Sequence, residues 1–391
     1  MQVSRWKRPL VATALVAVAA LLAGCSVVGG KIVNDDNTTA AAPTPAALRE
    51  RVGVNIGSSM IWEPNDAVRR QALKAIADTG AHYVAMDMDW NSINGAGPSV
   101  WRWAPTDLFV REARSYGLAI LAVTGYSPRW AEPASCPASA LTHCLPASPE
   151  PFATFAHQAA ARYGSLSAIP DLRNSIEAWQ VWNEPNHVPF VQPTVDVAHY
   201  TAILKRAYVE FKAADPAATV IAGGTSPAPD AANGTDMSPV TFLKGIYANG
   251  GQGFFDAFGH HPYSFPCSPL TDASWNAFTQ TGYLHDVMVA NADGGKKIWA
   301  TEAGAPTANN VNNGCAAGPN VSLTEAQQAQ WVNDYLKGWT QKFGSFTGPF
   351  IWFQIRDNGT DPAARDDHFG LLRRDFSQKP AYQRLTQLLA G

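Results

Sequence analysis

Val52-Gly53-Val54-Asn55-Ile56, then Asp66-Ala67-Val68-Arg69-Arg70-Gln71-Ala72-Leu73-Lys74-Ala75-Ile76-Ala77-Asp78-Thr79, then Tyr83-Val84-Ala85-Met86-Asp87-Met88: these three consecutive stretches decide how the chain folds. The first and third are short, largely apolar runs of strand length. Between them Val68, Ala72, Leu73, Ile76 and Ala77 recur at helical spacing, and Gly80 stands where a helix should end. Strand, helix, strand in so short a span predicts a parallel pair joined by a helical crossover.

The same unit repeats outward to the end of the chain. Further strands are predicted at residues 118–123, 176–182, 219–222, 255–258, 297–301 and 350–354. Helical patterns follow at 106–116, 150–163, 195–214, 239–248, 274–291, 324–343 and 381–389. Ser148-Pro149-Glu150 and the stretch from Ser322 to Glu325 read as helix starts, and Gly117, Gly164 and Gly344 as helix ends. Eight strand–helix units imply an α/β fold, a single (β/α)8 barrel of the TIM type. An open doubly wound sheet is the competitor, but Val54-Asn55-Ile56-Gly57 is not the glycine-rich phosphate turn expected after its first strand.

The N-terminal end reads differently. Arg5, Lys7 and Arg8 precede an apolar run from Leu10 to Leu22, and Leu22-Ala23-Gly24-Cys25 follows. Residues 1–25 are expected to be an export signal, too short for a membrane span. The last four resemble a bacterial lipobox. That resemblance implies lipidation of Cys25 and a chain held at the outer face of the cell membrane; an ordinary secretory signal cut nearby is the alternative. Residues 26–47, rich in Ala, Thr, Pro and Asn, read as a disordered tether, leaving 48–391 as the folded domain. Four further cysteines, Cys136, Cys144, Cys267 and Cys315, suit an oxidising compartment. Pairing Cys136 with Cys144 closes a Pro-rich loop and leaves Cys267 for Cys315; free thiols are the alternative. None has zinc-type spacing and no H-E-x-x-H pattern occurs, so neither a metal nor an organic cofactor is implied. A formal net charge of −3, with no basic run past the signal, argues against nucleic acid as a partner.

In such barrels, chemistry sits at the C-terminal ends of the strands. The fourth strand ends in Trp179-Gln180-Val181-Trp182-Asn183-Glu184-Pro185-Asn186, the seventh in Ile298-Trp299-Ala300-Thr301-Glu302-Ala303-Gly304. Strands four and seven lie on opposite sides of an eight-stranded barrel, so Glu184 and Glu302 can face each other across its mouth. Cleavage of a glycosidic bond needs such a pair, one carboxyl protonated to assist the leaving oxygen and one ionised. Burial and mutual repulsion separate their pKa values. Plain readings remain beside this one, a turn carboxylate for Glu184 and a helix-start cap for Glu302.

Asn-Glu-Pro closing strand four, with a glutamate closing strand seven, resembles clan A of the retaining glycoside hydrolases, families 39 and 5 in particular, over roughly the whole barrel. The resemblance implies that Glu184 is the acid/base, Glu302 the nucleophile and Asn183 the partner of the hydroxyl on C2 of the attacked sugar. The sixth strand ends in His260-His261-Pro262-Tyr263, where His261 and Tyr263 match the clan's His-x-Tyr pair. The clan's Tyr steadies the nucleophile, while His260 is expected to be structural. Trp352 matches the aromatic platform on strand eight. The second strand departs from the pattern, with Ala85 where many relatives carry an arginine.

Thirteen tryptophans, several at strand ends, suit sugar faces. Trp90, Trp130, Trp182 and Trp352 are the candidate platforms, and Trp101 and Trp103 either rim the cleft or pack it. Asp89 and Tyr126 are expected near the sugar, and Asp87 is expected to point into the barrel. The function implied is hydrolysis of O-glycosidic bonds in an oligo- or polysaccharide. A carbohydrate-binding lipoprotein without catalysis and a transglycosidase using the same two glutamates are the alternatives, and exo or endo action stays open.

Overall fold

The structure, a computed structural model, describes residues 42–308 and 323–390. Eight strands close a barrel in chain order: β1 (Val52–Asn55), β2 (Tyr83–Asp89), β3 (Ala119–Gly125), β4 (Ala178–Val181), β5 (Thr219–Thr225), β6 (Ala257–His260), β7 (Lys297–Ala303) and β8 (Thr347–Trp352). Every pairing is parallel, and β8 returns to β1 with Trp352 opposite Val54. The helices are α1 (Pro45–Arg49), α2 (Asp66–Asp78), α3 (Trp90–Asn94), α4 (Ala104–Ser115), α5 (Pro149–Tyr163), α6 (Val197–Ala214), α7 (Pro239–Ala248), α8 (Ala277–Ala290), α9 (Glu325–Lys337) and α10 (Pro380–Ala390). The single (β/α)8 barrel read from the alternation is the fold found. No described helix is long and apolar enough to cross a membrane.

Local details differ from the sequence reading. The sixth strand begins at Ala257, not at the apolar Phe255, because Phe255 leaves the strand to lie against Tyr247 and under Lys296. The long pattern after residue 324 is helical only to Lys337 and continues as a π-helical turn, Gly338–Lys342. Its cap is Thr324, in a reciprocal capping box with Gln327. Ser148 does stand at the start of α5, but its side chain makes no capping bond.

The barrel interior explains where a site can form. Its lower layer is apolar: Tyr83, Ala85, Ala119, Leu121, Ala178, Ile221, Ala257, Trp299 and Ile351 fill it. Side chains alternate along a strand, so further inward positions include Asn55 of β1, Asp87, Val123, Gln180 and Thr301. Four of these five are polar. Ala85 therefore belongs to the plug below the mouth, and no arginine could act from there without displacing core.

The third βα loop closes on itself through the Cys136–Cys144 disulfide (Cα–Cα 6.1 Å). Gln192, on the loop after β4, donates its N–H to the His143 carbonyl at 2.8 Å, so the two loops are joined. Cys267 is disulfide-bonded. Cys315 lies outside the described residues, as do Cys25 and the expected signal.

Candidate active site

Glu184 is set by a sharp turn at the end of β4. Trp182 and Glu184 both have positive φ, 69° and 43°, which is uncommon for residues with a Cβ and is typical of functional turns. Neighbouring strands hold the turn: Trp182 donates its N–H to the Thr124 carbonyl at 2.7 Å, and Glu184 donates to Gly224 at 3.0 Å. Asn186 ties the same loop to the one after β5. Its amide donates to the carbonyls of Ser226 and Met237, each at 2.8 Å, and its Oδ1 accepts from Ser226 N–H at 2.8 Å.

Glu302 comes from the other side. The register of β7 against β8 shifts between Ala300 and Ala303, and a bulge there re-aims a side chain. A residue that strict alternation would turn outward is thereby delivered to the mouth. Gly304 makes room for the crossing of the two strand ends, since a Cβ there would stand 2.3 Å from the Phe353 carbonyl oxygen. Tyr263 donates its hydroxyl to Glu302 Oε2 at 3.0 Å. His261 Nδ1 lies 2.8 Å from Glu184 Oε1 and 3.7 Å from Glu302 Oε2. One oxygen of each glutamate and a nitrogen of His261 all fall within 4.8 Å of one another.

All three groups are buried, and their charges compete. Burial raises the Glu302 pKa; His261 and the Tyr263 hydroxyl oppose that rise, Glu184 adds to it, and the balance stays upward. Burial works against charge on His261, yet Glu302 and Glu184 outweigh it and hold its pKa above the ordinary value. The Nδ1 of His261 and Oε1 of Glu184 share one hydrogen bond, whose donor is set by the tautomer of the imidazole. His260 is separate: buried, bonded to Ala277 O and Thr225, its pKa pushed down to about 4 chiefly by burial. It is the neutral structural residue expected.

Other expected site residues divide. Asn183 is buried beside Glu184, hydrogen-bonds the side chain of Tyr126, and keeps an Oδ1 that no described residue partners. Tyr126 is half-buried, with its ring against His143 and Trp182. Asp89 caps α3 by accepting Ser92 N–H at 2.9 Å. Three of the candidate tryptophans are not brought to the sugar face. Trp90 is 0% exposed and packed among Trp130, Phe152 and Phe155. Trp352 is 1% exposed and edge-on to Tyr335 of α9. It lies one position off the inward face of β8. Phe353, on that inward face, is half-exposed and edge-on to Tyr263 and Phe369. Trp182 is also fully buried. Sequence reading missed Phe353, Asn186 and the His143–Phe190 ring pair (5.8 Å) on the Glu184 side.

Neither a protein-family model nor a curated relative matches the chain. Solved structures do. A family 39 glycoside hydrolase from the gut symbiont Bacteroides cellulosilyticus is similar in fold over 88% of this chain and 64% of its own, with TM-score 0.65 and 23% identity. A glucosidase from Croceicoccus marinus matches at TM-score 0.62 and 14% identity, over 88% of this chain and 68% of its own. An exo-β-1,4-mannosidase from an Opitutaceae bacterium matches at TM-score 0.59 and 14% identity, over 87% and 59%. The chain thus spans roughly two thirds of the length of these structures.

Proposed function

We propose that this chain is an exported glycoside hydrolase of the clan A type, akin to families 39 and 5, that cleaves O-glycosidic bonds of an oligo- or polysaccharide by double displacement. Glu302 attacks the anomeric carbon and Glu184 protonates the leaving oxygen, then deprotonates the incoming water. The observation that carries this reading is the meeting of two buried glutamates at the mouth of the barrel, with oxygens no more than 4.8 Å apart. A gap of about 5–5.5 Å between carboxyls suits direct attack, whereas about 6.5–9.5 Å is needed to fit a water for inversion. Tyr263 at 3.0 Å supports Glu302 as the nucleophile by donating to its charged form. Asn183 Oδ1, buried and without a partner among the described residues, supports a role in accepting a hydrogen bond from a hydroxyl of the attacked sugar.

The test is Glu302→Ala, assayed on activated aryl β-glycosides with and without azide. Loss of activity and rescue by azide, giving the glycosyl azide of inverted configuration, is expected. Undiminished hydrolysis by the variant would overturn the mechanism. The ring pair His143 and Phe190 on the Glu184 side gives a leaving-group sugar a surface, which favours oligosaccharides over small aglycones. That surface would equally seat a sugar acceptor, so product analysis should look for transfer as well as hydrolysis.

Export and anchoring belong to the same proposal. The basic start, apolar run and Leu22-Ala23-Gly24-Cys25 support a lipidated Cys25 at the outer face of the cell membrane. Cys25→Ala should abolish palmitate labelling and release the enzyme from the membrane fraction. A mature N-terminus downstream of Cys25 would refute the anchor.

A further inference from the structure

The mouth holds a carboxylate that the two-glutamate chemistry leaves unused. Asp87 follows Tyr83 and Ala85 on the inward row of β2, directly above the apolar plug and opposite Val123 of β3. It is half-buried and lies close enough to Glu302 and His261 for their charges to act on it. Among the described residues no donor reaches its oxygens. The titratable groups facing it are Glu302 from β7, His261 at the end of β6, Tyr126 at the end of β3, and Asp89 on its own strand. No arginine or lysine is among them.

A partly desolvated carboxylate without a donor is unfavourable, and one placed among other carboxylates more so. The lack of donors among the described residues is resolved when a ligand supplies them. A sugar ring seated over Glu302 brings several hydroxyls to the level of the mouth where Asp87 stands. A ring bearing its own carboxylate would instead set a fourth acid against Glu184, Glu302 and Asp87, with His261 as the one cationic partner.

We propose that Asp87 is a specificity-determining residue of the cleaved-sugar site, accepting hydrogen bonds from hydroxyls of a neutral sugar and excluding uronic acids. This rests on the glycosidase reading above. A site built to bond a hydroxyl can discriminate strongly, because its polar group is left unpaired by the wrong ligand, and like-charge repulsion adds an element that acts only against the competitor.

The experiment compares methyl β-glycosides of neutral hexoses and pentoses with the matching methyl β-uronides. Binding is measured by calorimetry and ligand-observed NMR at pH 8, in the wild type, Asp87→Asn and Asp87→Ser; two variants guard against a single folding failure. The wild type should bind a neutral glycoside and reject its uronide. Both variants should weaken neutral binding about tenfold and narrow the preference by a similar factor. Unchanged affinities in folded variants, or a wild type that binds uronides as well as neutral sugars, would overturn the assignment. Binding of neither class would overturn both this proposal and the glycosidase reading. Hydrolysis of the corresponding aryl glycosides is read separately. If the binding pattern holds without hydrolysis, the cleavage reading fails and the role of Asp87 stands.

Discussion

Tyr263 and His261 divide the two glutamates between them, the phenol on Glu302 and the imidazole mainly on Glu184. In the proposed mechanism Glu302 must be ionised to attack, and its pKa is raised, so the acid limb of kcat/KM should lie above the range of an ordinary glutamate. Tyr263→Phe removes a donor to the ionised form. That limb should then move to still higher pH, with kcat/KM near neutrality falling about 10- to 100-fold. A pH–rate series on both proteins checks it, and an unmoved limb would count against Glu302 as the group observed. Asp87 gives a stability prediction of opposite kind. Its pKa is pushed up to about 7, mainly by burial and secondly by Glu302. Being raised in the folded state, the group favours folding while protonated, and that advantage is lost as pH climbs from its unfolded value towards 7. Asp87→Asn should therefore be more stable than wild type by about 2 kcal/mol at pH 8, a figure reduced for partial water access, and no more stable at pH 3. Urea unfolding at the two pH values decides it.

At the scale of elements, the loops after β4 and β5 behave as one piece because Asn186 satisfies two carbonyls and one N–H between them. Asn186→Ala leaves those groups unpaired. A loss of about 2–3 kcal/mol in stability is expected, together with a drop of about tenfold in kcat/KM as Glu184 loses its fixed turn. Denaturant unfolding and steady-state kinetics measure the two effects separately. The strand ends also show where sequence reading reached its limit. Glu184, Asn183, His261, Tyr263 and Glu302 were legible because each closes an apolar run. Trp352 was misread as the platform because alternation reverses the face of a strand at each residue. Its neighbour Phe353 has the inward position, and nothing in the local run of aromatics says which of the two points in. Trp90 was misread because a strand-end tryptophan suits a sugar face as well as the gap between barrel and α5.

For the whole molecule, closure of the barrel depends on the β1–β8 seam. Gly53 sits on it, and a Cβ there would lie 2.5 Å from Tyr83 Cβ and 2.6 Å from Ile351 Cδ1. Gly53→Ala overpacks the inner layer and should cost about 3 kcal/mol, seen as a lowered Tm without a change in the order of substrate preference. The alternation of apolar runs with amphipathic helices was enough, by itself, to determine eight parallel units and the two glutamates at their ends, because local periodicity and parallel crossovers admit few topologies. Only the tertiary structure decided that His261 links both glutamates, that a bulge turns Glu302 inward, that Phe353 and not Trp352 faces the mouth, and that Asp87 stands there without a donor among the described residues. Those outcomes depend on register and on contacts between strands distant in sequence, which periodicity along one segment does not encode.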